Sequence, residues 1–146
     1  MQPTFPILAN CALYYYRDLP RATRFYQETL GFELVEDYGF GKLFQVASTS
    51  YLMLIDAAIG RHSADEPKTV TTAFLTDELE EWWAYLTRLD LPVRAPFDDY
   101  PGKAHDGFVM IDPEGYYLEF ERFNPHPEND ALMPLLNALP SRYPSA

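Results

Sequence analysis

Apolar side chains recur with two different periods near the start of the chain. Residues 11–16 form an apolar, aromatic run whose composition is typical of a β-strand. The apolar residues that follow are spaced three and four positions apart, which predicts a helix with one apolar stripe. Asp18 fits the N-cap of this helix and Gly31 fits the C′ residue that ends it. The stripe consists of Leu19, Ala22, Phe25, Tyr26 and Leu30.

The same order of patterns returns about sixty residues later, which indicates an internal repeat. Residues 71–76 again have strand composition, and a second apolar helical stripe follows them. This second stripe consists of Leu79, Trp82, Trp83, Leu86 and Leu89. Turn-forming residues then separate three strand-like segments in each half. These segments are residues 32–36, 42–47 and 51–56 in the first half, and 91–95, 107–111 and 116–123 in the second.

Each half therefore has the predicted order βαβββ, and we expect an α+β fold built from two modules. The first module covers about residues 8–57 and the second about residues 70–123, with a polar linker at 58–69. Neither module alone buries both faces of its sheet, so residues 1–146 are predicted to form one domain. Residues 124–146 form a tail, in which a short helix is expected near residues 130–139.

Acidic residues outnumber basic ones by 22 to 11, which gives a formal net charge of −11. This charge argues against a general role in binding nucleic acid or anionic membrane surfaces, because both are polyanionic. The same charge attracts cations, although most of it serves solubility. The chain is 47% hydrophobic and 16% aromatic, which is enough to build a folded core.

Cys11 is the single cysteine, so an internal disulfide and a cysteine-rich zinc site are both excluded. The first residues lack the basic and apolar regions of a signal peptide, and no apolar run has the length of a membrane span. We therefore expect a cytoplasmic protein.

Two passages carry a resemblance to a known superfamily. The first is Tyr16-Arg17-Asp18-Leu19 followed by Phe25-Tyr26 and Leu30-Gly31-Phe32, and the second is Asp112-Pro113-Glu114-Gly115-Tyr116-Tyr117-Leu118-Glu119-Phe120. Together with the duplicated βαβββ order, they resemble the vicinal oxygen chelate superfamily of glyoxalases, bleomycin-resistance proteins and extradiol dioxygenases. The resemblance covers roughly residues 8–123. It implies that the two modules form a half-barrel with a cleft.

Metal-dependent members of this superfamily take His or Glu ligands from the first and last strands of each module. The resemblance places Cys11, Met53, Thr71 and Glu119 at these four positions, and only Glu119 is of the usual type. A catalytic divalent metal normally takes about three His or carboxylate ligands from the protein. We therefore expect no cofactor and disfavour a divalent metal. If a metal were present, Glu119 would hold it with His105 or Cys11.

Alternation along the strands predicts which side chains face the cleft. The resulting lining is apolar with a few polar groups, which suits an organic ligand better than a hydrated ion. The predicted lining consists of Cys11, Leu13, Tyr15, Met53, Thr71, Ala73, Leu75, Tyr117, Glu119 and Glu121.

Several of these residues have more than one interpretation. Glu119 is open to three roles: a contact for a cationic ligand, a general base, or a solvated strand carboxylate. Cys11 is better read as a small buried thiol than as a nucleophile. His105 is interpreted as a surface loop residue that is able to rotate into the cleft. Asp98 and Asp99 lie in a loop that often covers the cleft in the superfamily, where they would attract a cation.

Two functions remain open, and the residues do not decide whether the chain is an enzyme. The first is a metal-free small-molecule binder of the drug-sequestering, bleomycin-resistance type, for a cationic or aromatic ligand. The alternative is a lyase, isomerase or dioxygenase that uses Glu119 with an atypical metal site or as a general base. A homodimer is expected in either case, because a partner chain is able to close an open sheet edge.

Overall fold

The computed structural model describes residues 1–98 and 100–139. This part of the chain divides into two compact units, residues 1–66 and residues 67–139. The boundary falls inside the predicted linker. None of the helices in the described part of the chain has the length and apolar character that a membrane span needs.

The first unit contains one four-stranded sheet with the strand order β1-β4-β3-β2. β1 runs parallel to β4, and the remaining pairs are antiparallel. A helix and a π-helical turn connect β1 to β2. The elements are β1 (Asn10–Tyr16), α1 (Leu19–Arg24), the π-helical turn (Phe25–Thr29), β2 (Glu33–Asp37), β3 (Gly41–Ala47) and β4 (Ser50–Asp56).

The connection from β1 to β2 begins as predicted, because the carboxylate of Asp18 accepts a hydrogen bond from the backbone N–H of Arg21 at 3.0 Å. The predicted helical segment is present, but its geometry changes from α-helical to π-helical after Arg24. The backbone N–H of Leu30 reaches the carbonyl of Phe25, five residues back, at 3.0 Å. This wider turn accommodates two consecutive buried rings, Phe25 and Tyr26.

The second unit repeats this arrangement, with the strand order β5-β8-β7-β6 and β5 parallel to β8. The βαβββ prediction is therefore confirmed for both halves, as is the α+β class. A 3₁₀ turn and a short helix follow the sheet, where the tail helix was expected. The elements are β5 (Thr71–Leu75), α2 (Leu79–Arg88), β6 (Val93–Ala95), β7 (His105–Ile111), β8 (Tyr117–Phe123), the 3₁₀ turn (Pro127–Asn129) and α3 (Met133–Asn137).

The repeat extends to the way each helical segment ends. Leu30 is followed by Gly31 with a φ of +72°, so the predicted C′ glycine is confirmed. Leu89 is followed by Asp90 with a φ of +54°. Both modules therefore end the helix with a left-handed residue, but only the first places a glycine there.

In the second unit, helix α2 covers one face of the sheet and leaves the other face accessible. In the second unit, Trp82 packs on Phe120 and Trp83 on Phe108, both at 5.0 Å between ring centroids. The rings of Phe108 and Phe120 stack on each other at 5.1 Å. Because α2 covers this face, the alternate side chains of β7 and β8 lie on the opposite, accessible face.

A charged network fixes the ends of β7 and β8 on the covered face. Asp106 is only 4% exposed, and its carboxylate accepts hydrogen bonds from Asn124 at 2.9 Å and from Arg122 at 3.3 Å. The same Arg122 guanidinium pairs with Glu80 of α2. We call these four residues the Asp106 network; they tie α2 to the ends of both strands.

Candidate functional site

The accessible face of the second sheet carries the polar side chains that are best placed to bind a ligand. Glu119 lies in register between Ala73 and Val109, and Glu121 lies between Leu75 and Gly107. Their neighbours in sequence, including Leu118 and Phe120, are buried under α2. We call this surface the open face; it consists of Thr71, Ala73, Leu75, His105, Gly107, Val109, Ile111, Tyr117, Glu119, Glu121 and Phe123.

Two carboxylates and one imidazole lie together on the open face. Nδ1 of His105 is 3.3 Å from Oε1 of Glu121. Burial raises the pKa of Glu121 and the nearby charge of Glu119 raises it further, while His105 acts in the opposite direction. Glu121 therefore takes up a proton at a higher pH than an ordinary glutamate does, and a cation beside the pair would oppose this effect.

Gly107 allows β7 to lie close to the backbone of β8 next to Glu119. A Cβ atom at position 107 would lie 2.8 Å from the carbonyl oxygen of Phe120 and 3.6 Å from Oε1 of Glu119. Only a residue without a side chain fits this space without displacement. The glycine is therefore required by the approach of the Phe120 carbonyl, and a Cβ atom there would only touch the carboxylate of Glu119.

A cavity of about 430 Å³ opens beside Glu119 at the end of the sheet where β7 begins, and this volume is in the range of small-molecule sites. The ammonium group of Lys103 already has partners in the protein, because it donates to the carbonyl of Asp98 at 2.6 Å, lies 3.7 Å from Oδ1 of Asp106 and lies 4.7 Å from the ring centroid of Tyr100. The cavity is lined by Asp98, Gly102, Lys103, Ala104, His105, Gly107, Glu119, His126 and Glu128.

A positively charged group lies towards the other end of the open face. Nε of Arg94 donates a hydrogen bond to the hydroxyl of Tyr117 at 3.1 Å, and the guanidinium lies 5.7 Å from the centroid of the Tyr117 ring. Tyr117 is in register with Thr71 on one side and Ile111 on the other. The face therefore carries charges of opposite sign at separate positions along β8.

The accessible face of the first sheet is mostly apolar. Leu13 is in register with Met53, which in turn pairs with Leu43 of β3. The interpretation of Cys11 as a buried thiol is wrong, because the residue is exposed at the start of β1. Partial desolvation nevertheless raises the pKa of its thiol, against a hydrogen bond from the Met53 backbone. A raised thiol pKa disfavours the reactive thiolate, so Cys11 is poorly suited to act as a nucleophile.

The linker covers part of this first face. The ring of Tyr15 makes an edge contact with His62 at 4.9 Å between centroids. A Cβ atom at Gly60 would lie 2.7 Å from the Tyr15 ring, so the linker backbone approaches it closely. Arg17 also pairs with Asp65. The end of the face that carries Tyr15 is therefore packed against the chain's own linker.

The structure places the predicted lining residues on two separate sheets. It brings Thr71, Ala73, Tyr117 and Glu119 together on the open face of the second unit, whereas Cys11, Leu13, Tyr15 and Met53 belong to the first. The interpretation of His105 as a loop residue is wrong, because it is the first residue of β7 and pairs with Phe123. Asp98 lines the cavity, and Asp99 lies outside the described residues.

Sequence reasoning missed Arg94, Gly107 and His126. Arg94 lies at an irregularity in the pairing between β6 and β7, so strand alternation does not place its side chain. Gly107 opens the predicted strand 107–111, and the pattern gave it no role. His126 lies between two prolines in the predicted tail, and the structure shows that it borders the cavity.

The described residues do not fit a catalytic divalent metal. Nowhere in residues 1–98 and 100–139 do three or more His, Cys, Asp or Glu side chains gather closely enough to hold an ion. In the second unit, the positions implied by the resemblance supply the Thr71 hydroxyl and the Glu119 carboxylate. One carboxylate and one neutral hydroxyl fall short of the usual ligand set.

Comparison with known proteins places this architecture in a family. Residues 8–120 match the Glyoxalase/Bleomycin resistance protein/Dioxygenase superfamily. A glyoxalase/bleomycin resistance protein/dioxygenase from Nocardioides has a similar structure, with a TM-score of 0.68 at 21% identity, covering 85% of this chain and 87% of that one. Lactoylglutathione lyase from Agrobacterium tumefaciens also has a similar structure, with a TM-score of 0.64 at 24% identity, covering 83% of this chain and 96% of that one.

TioX from Micromonospora sp. ML1 has a TM-score of 0.61 at 18% identity, covering 80% of this chain and 98% of that one. Likenesses at these identities show the fold alone. No curated protein matches the sequence. Because the family match spans most of the chain, the protein belongs to the glyoxalase/bleomycin resistance protein/dioxygenase superfamily.

Proposed function

We propose that this protein is a metal-free small-molecule binder of the drug-sequestering type, and that its open face takes a cationic or aromatic organic ligand. One observation carries the proposal. The half-buried carboxylate of Glu119 lines a cavity of about 430 Å³ and forms no ion pair with any described residue. A partly desolvated carboxylate without an ionic partner favours a cation beside it.

The charges around the cavity support a ligand of this sign. Asp98 and Glu128 line the cavity together with Glu119. Lys103 lines it too, but its ammonium group contacts the Asp98 carbonyl, the Asp106 carboxylate and the Tyr100 ring. Aromatic groups border the same region, since His105 lies 6.0 Å from Phe123 between ring centroids. Such rings stack on flat or cationic molecules.

The test is a fluorescence titration with thioflavin T, a cationic aromatic dye, against 8-anilinonaphthalene-1-sulfonate, an anionic one. We expect saturable binding of the cationic dye at micromolar concentration and weaker binding of the anionic dye. Substituting Glu119→Gln removes the charge but keeps the shape. We expect it to weaken binding of the cationic dye about tenfold or more, because a charged contact is lost.

Glu36→Gln is the matched control, because Glu36 is an exposed carboxylate of the first unit and its substitution changes the net charge equally. This variant should bind the cationic dye as the unsubstituted protein does. Equal weakening by both variants would show that the dye responds to overall charge alone. Absence of binding across thioflavin T and a panel of cationic aromatic compounds would overturn the proposal.

Two further measurements address the metal-free and non-catalytic parts of the proposal. Protein treated with EDTA and dialysed should bind thioflavin T with the same affinity as untreated protein. Dye recovered after prolonged incubation should have an unchanged mass. Loss of binding after chelation would contradict a metal-free site, and a modified product would favour catalysis.

The contact between His105 and Glu121 favours a second candidate function, general acid–base catalysis on a bound organic substrate. An imidazole and a carboxylate 3.3 Å apart are able to exchange a proton beside the Glu119 carboxylate. In this lyase or isomerase function, Glu119 would act as the base. Conversion of a bound compound that is lost in Glu119→Gln would support it over simple binding.

Pairing of two chains remains part of the proposal. In the described chain, β2 and β6 lie at sheet edges and expose backbone groups that a partner strand is able to pair with. Light scattering should then give twice the chain mass of 16.8 kDa at micromolar concentration. A particle of one chain mass would contradict a homodimer.

A further inference from the structure

The arrangement of charge along β8 bears on the chemical class of the ligand. The side chain of Arg94 is exposed, and its Nε atom is held by the Tyr117 hydroxyl at 3.1 Å. Its two terminal amino groups form no hydrogen bond with a described residue. A guanidinium held in this way presents a planar pair of donors, which matches a carboxylate.

Glu119 lies on the same face of the same strand as Tyr117, two residues further along. Two strand residues span about 6.7 Å, so the carboxylate and the Arg94–Tyr117 pair are separate binding positions. Arg94 and Glu119 do not form an ion pair with each other, since Arg94 is directed to the tyrosine instead. Two opposite charges therefore face solvent on one surface without neutralising each other.

The neighbouring strands place mostly apolar side chains beside the two charges. Ala73 and Val109 flank Glu119 in register, and Tyr117 lies between Ile111 and the hydroxyl-bearing Thr71. An apolar floor with a negative group at one position and a positive group at the next fits a molecule with an apolar body and two charged ends. A ligand with only one charged group that covered this surface would leave either Glu119 or Arg94 desolvated and unpaired.

We infer that the open face binds a zwitterionic organic molecule, with its cationic group at Glu119 and a carboxylate at the Arg94–Tyr117 pair. This inference rests on the proposed function and narrows its ligand class. The Arg94 guanidinium receives the carboxylate through its terminal amino groups, while the Tyr117 hydroxyl and ring hold the guanidinium in place. The apolar body of the ligand lies over Ala73 and Val109.

The probe is 4-(aminomethyl)benzoate, whose ammonium and carboxylate groups are separated by one aromatic ring. Benzylamine is its cation-only counterpart and 4-methylbenzoate its anion-only counterpart. Isothermal titration of the full chain should show the zwitterion binding about tenfold more tightly than benzylamine, with little binding of 4-methylbenzoate. Equal affinity of the zwitterion and benzylamine would overturn the inference while leaving the proposed function intact.

Arg94→Gln should abolish the advantage of the zwitterion and leave benzylamine binding unchanged. Tyr117→Phe keeps the ring but removes the hydroxyl, and should reduce the advantage in part. Arg88→Gln is the matched control, because Arg88 is exposed at the end of α2 and its loss changes the net charge equally. Circular dichroism melting of each variant confirms that the fold is retained before binding is compared.

The remaining outcomes separate the two proposals. Equal weakening of zwitterion and benzylamine by Arg94→Gln would contradict a carboxylate contact at that residue. Loss of zwitterion binding in Arg88→Gln as well would assign the effect to overall charge and overturn the inference. Failure of both benzylamine and the zwitterion to bind would overturn the inference and count against the proposed function with it.

Discussion

The guanidinium of Arg122 donates two hydrogen bonds to the carboxylate of Glu80, at 2.8 and 2.9 Å. The same group reaches the buried carboxylate of Asp106 at 3.3 Å. Glu80 belongs to α2, whereas Asp106 and Arg122 belong to β7 and β8. One side chain therefore joins the helix to both central strands on the face opposite the proposed ligand site.

Removing this arginine should leave the buried Asp106 carboxylate with only the Asn124 amide and the Lys103 ammonium, which lies 3.7 Å away. We expect Arg122→Met to lower the free energy of unfolding by about 3 kcal/mol, because Asp106 is largely desolvated. Urea denaturation followed by tryptophan fluorescence measures the change. Glu80→Gln should cost less than about 1 kcal/mol, since its side chain is half exposed. Similar losses in both variants would show that Asp106 does not depend on Arg122.

Asp106 should also govern the loss of stability in acid. Burial acts to raise the pKa of this carboxyl, but hydrogen bonds from Asn124 and Arg122 outweigh it and the pKa is lowered. The unfolded chain therefore takes up the proton first as pH falls. The contribution of Asp106 is present above the unfolded pKa of about 3.9 and is lost as pH falls through the folded pKa.

Urea denaturation at a series of acidic pH values tests this expectation. Asp106→Asn should flatten the acid limb of the stability profile, even though it lowers stability at neutral pH. Asp65→Asn removes the carboxylate of an exposed ion pair with Arg17. In this variant, stability should fall with pH as it does in the unsubstituted protein. An unchanged acid limb in Asp106→Asn would contradict the assignment.

Glu121 should have the opposite effect on stability. Its pKa is raised, first by burial and then by the charge of Glu119. The folded chain therefore holds the proton more tightly than the unfolded chain does, and this contribution is lost as pH rises through the folded pKa. Glu121→Gln should consequently gain stability relative to the unsubstituted protein as pH rises from 4 to 7 in the same urea series. A constant difference across that range would rule out the raised pKa.

Gly107 should tolerate no side chain without a loss of stability. A Cβ atom there would lie 2.8 Å from a backbone oxygen, which is fixed by the sheet. We expect Gly107→Ala to cost about 1–3 kcal/mol, the usual range for overpacking. At Gly41 the nearest obstacle is the terminal methyl group of Met53, which is able to rotate away. Gly41→Ala should therefore cost less, and a reversed order in thermal melts would contradict this account.

Asp90 should be replaceable with a gain in stability. Its φ of +54° lies in the left-handed region, and its carboxylate follows the negative end of α2. Asp90→Gly should raise the free energy of unfolding by about 0.5 kcal/mol. Gly31→Ala, at the equivalent position of the first module, should lower it by about 1 kcal/mol. Destabilisation by Asp90→Gly would show that the aspartate has a role beyond its backbone conformation.

The overall architecture was predictable because its signals are local. Asp18 and Gly31 mark the limits of the first helical segment, and the same spacing returns in the second module. The π-helical turn was not predictable, because three- and four-residue spacing fits a regular helix equally well. Burial of the adjacent Phe25 and Tyr26 accompanies the wider turn, and that packing depends on the sheet beneath.

The candidate site was predictable along β5 and along the strand that carries Glu119. Alternation placed this carboxylate opposite the buried Leu118 and Phe120, because β8 is regular. Arg94 was missed because the pairing between β6 and β7 is irregular at that residue. Sequence reasoning placed His105 in a loop because it precedes the predicted strand 107–111. In the structure, pairing with Phe123 carries the strand back to that histidine.

The parallel pairing of β1 with β4 has a consequence for synthesis of the chain. Asn10 is in register with Ser50, forty positions later, so β1 leaves the ribosome well before its neighbour in the sheet exists. At ordinary translation rates of about 5–20 residues per second, this delay lasts roughly 2–8 s. During that time an uncharged, aromatic, strand-forming segment is open to other nascent chains. We therefore expect Asn10–Tyr16 to be the segment of the first module that a chaperone binds during synthesis.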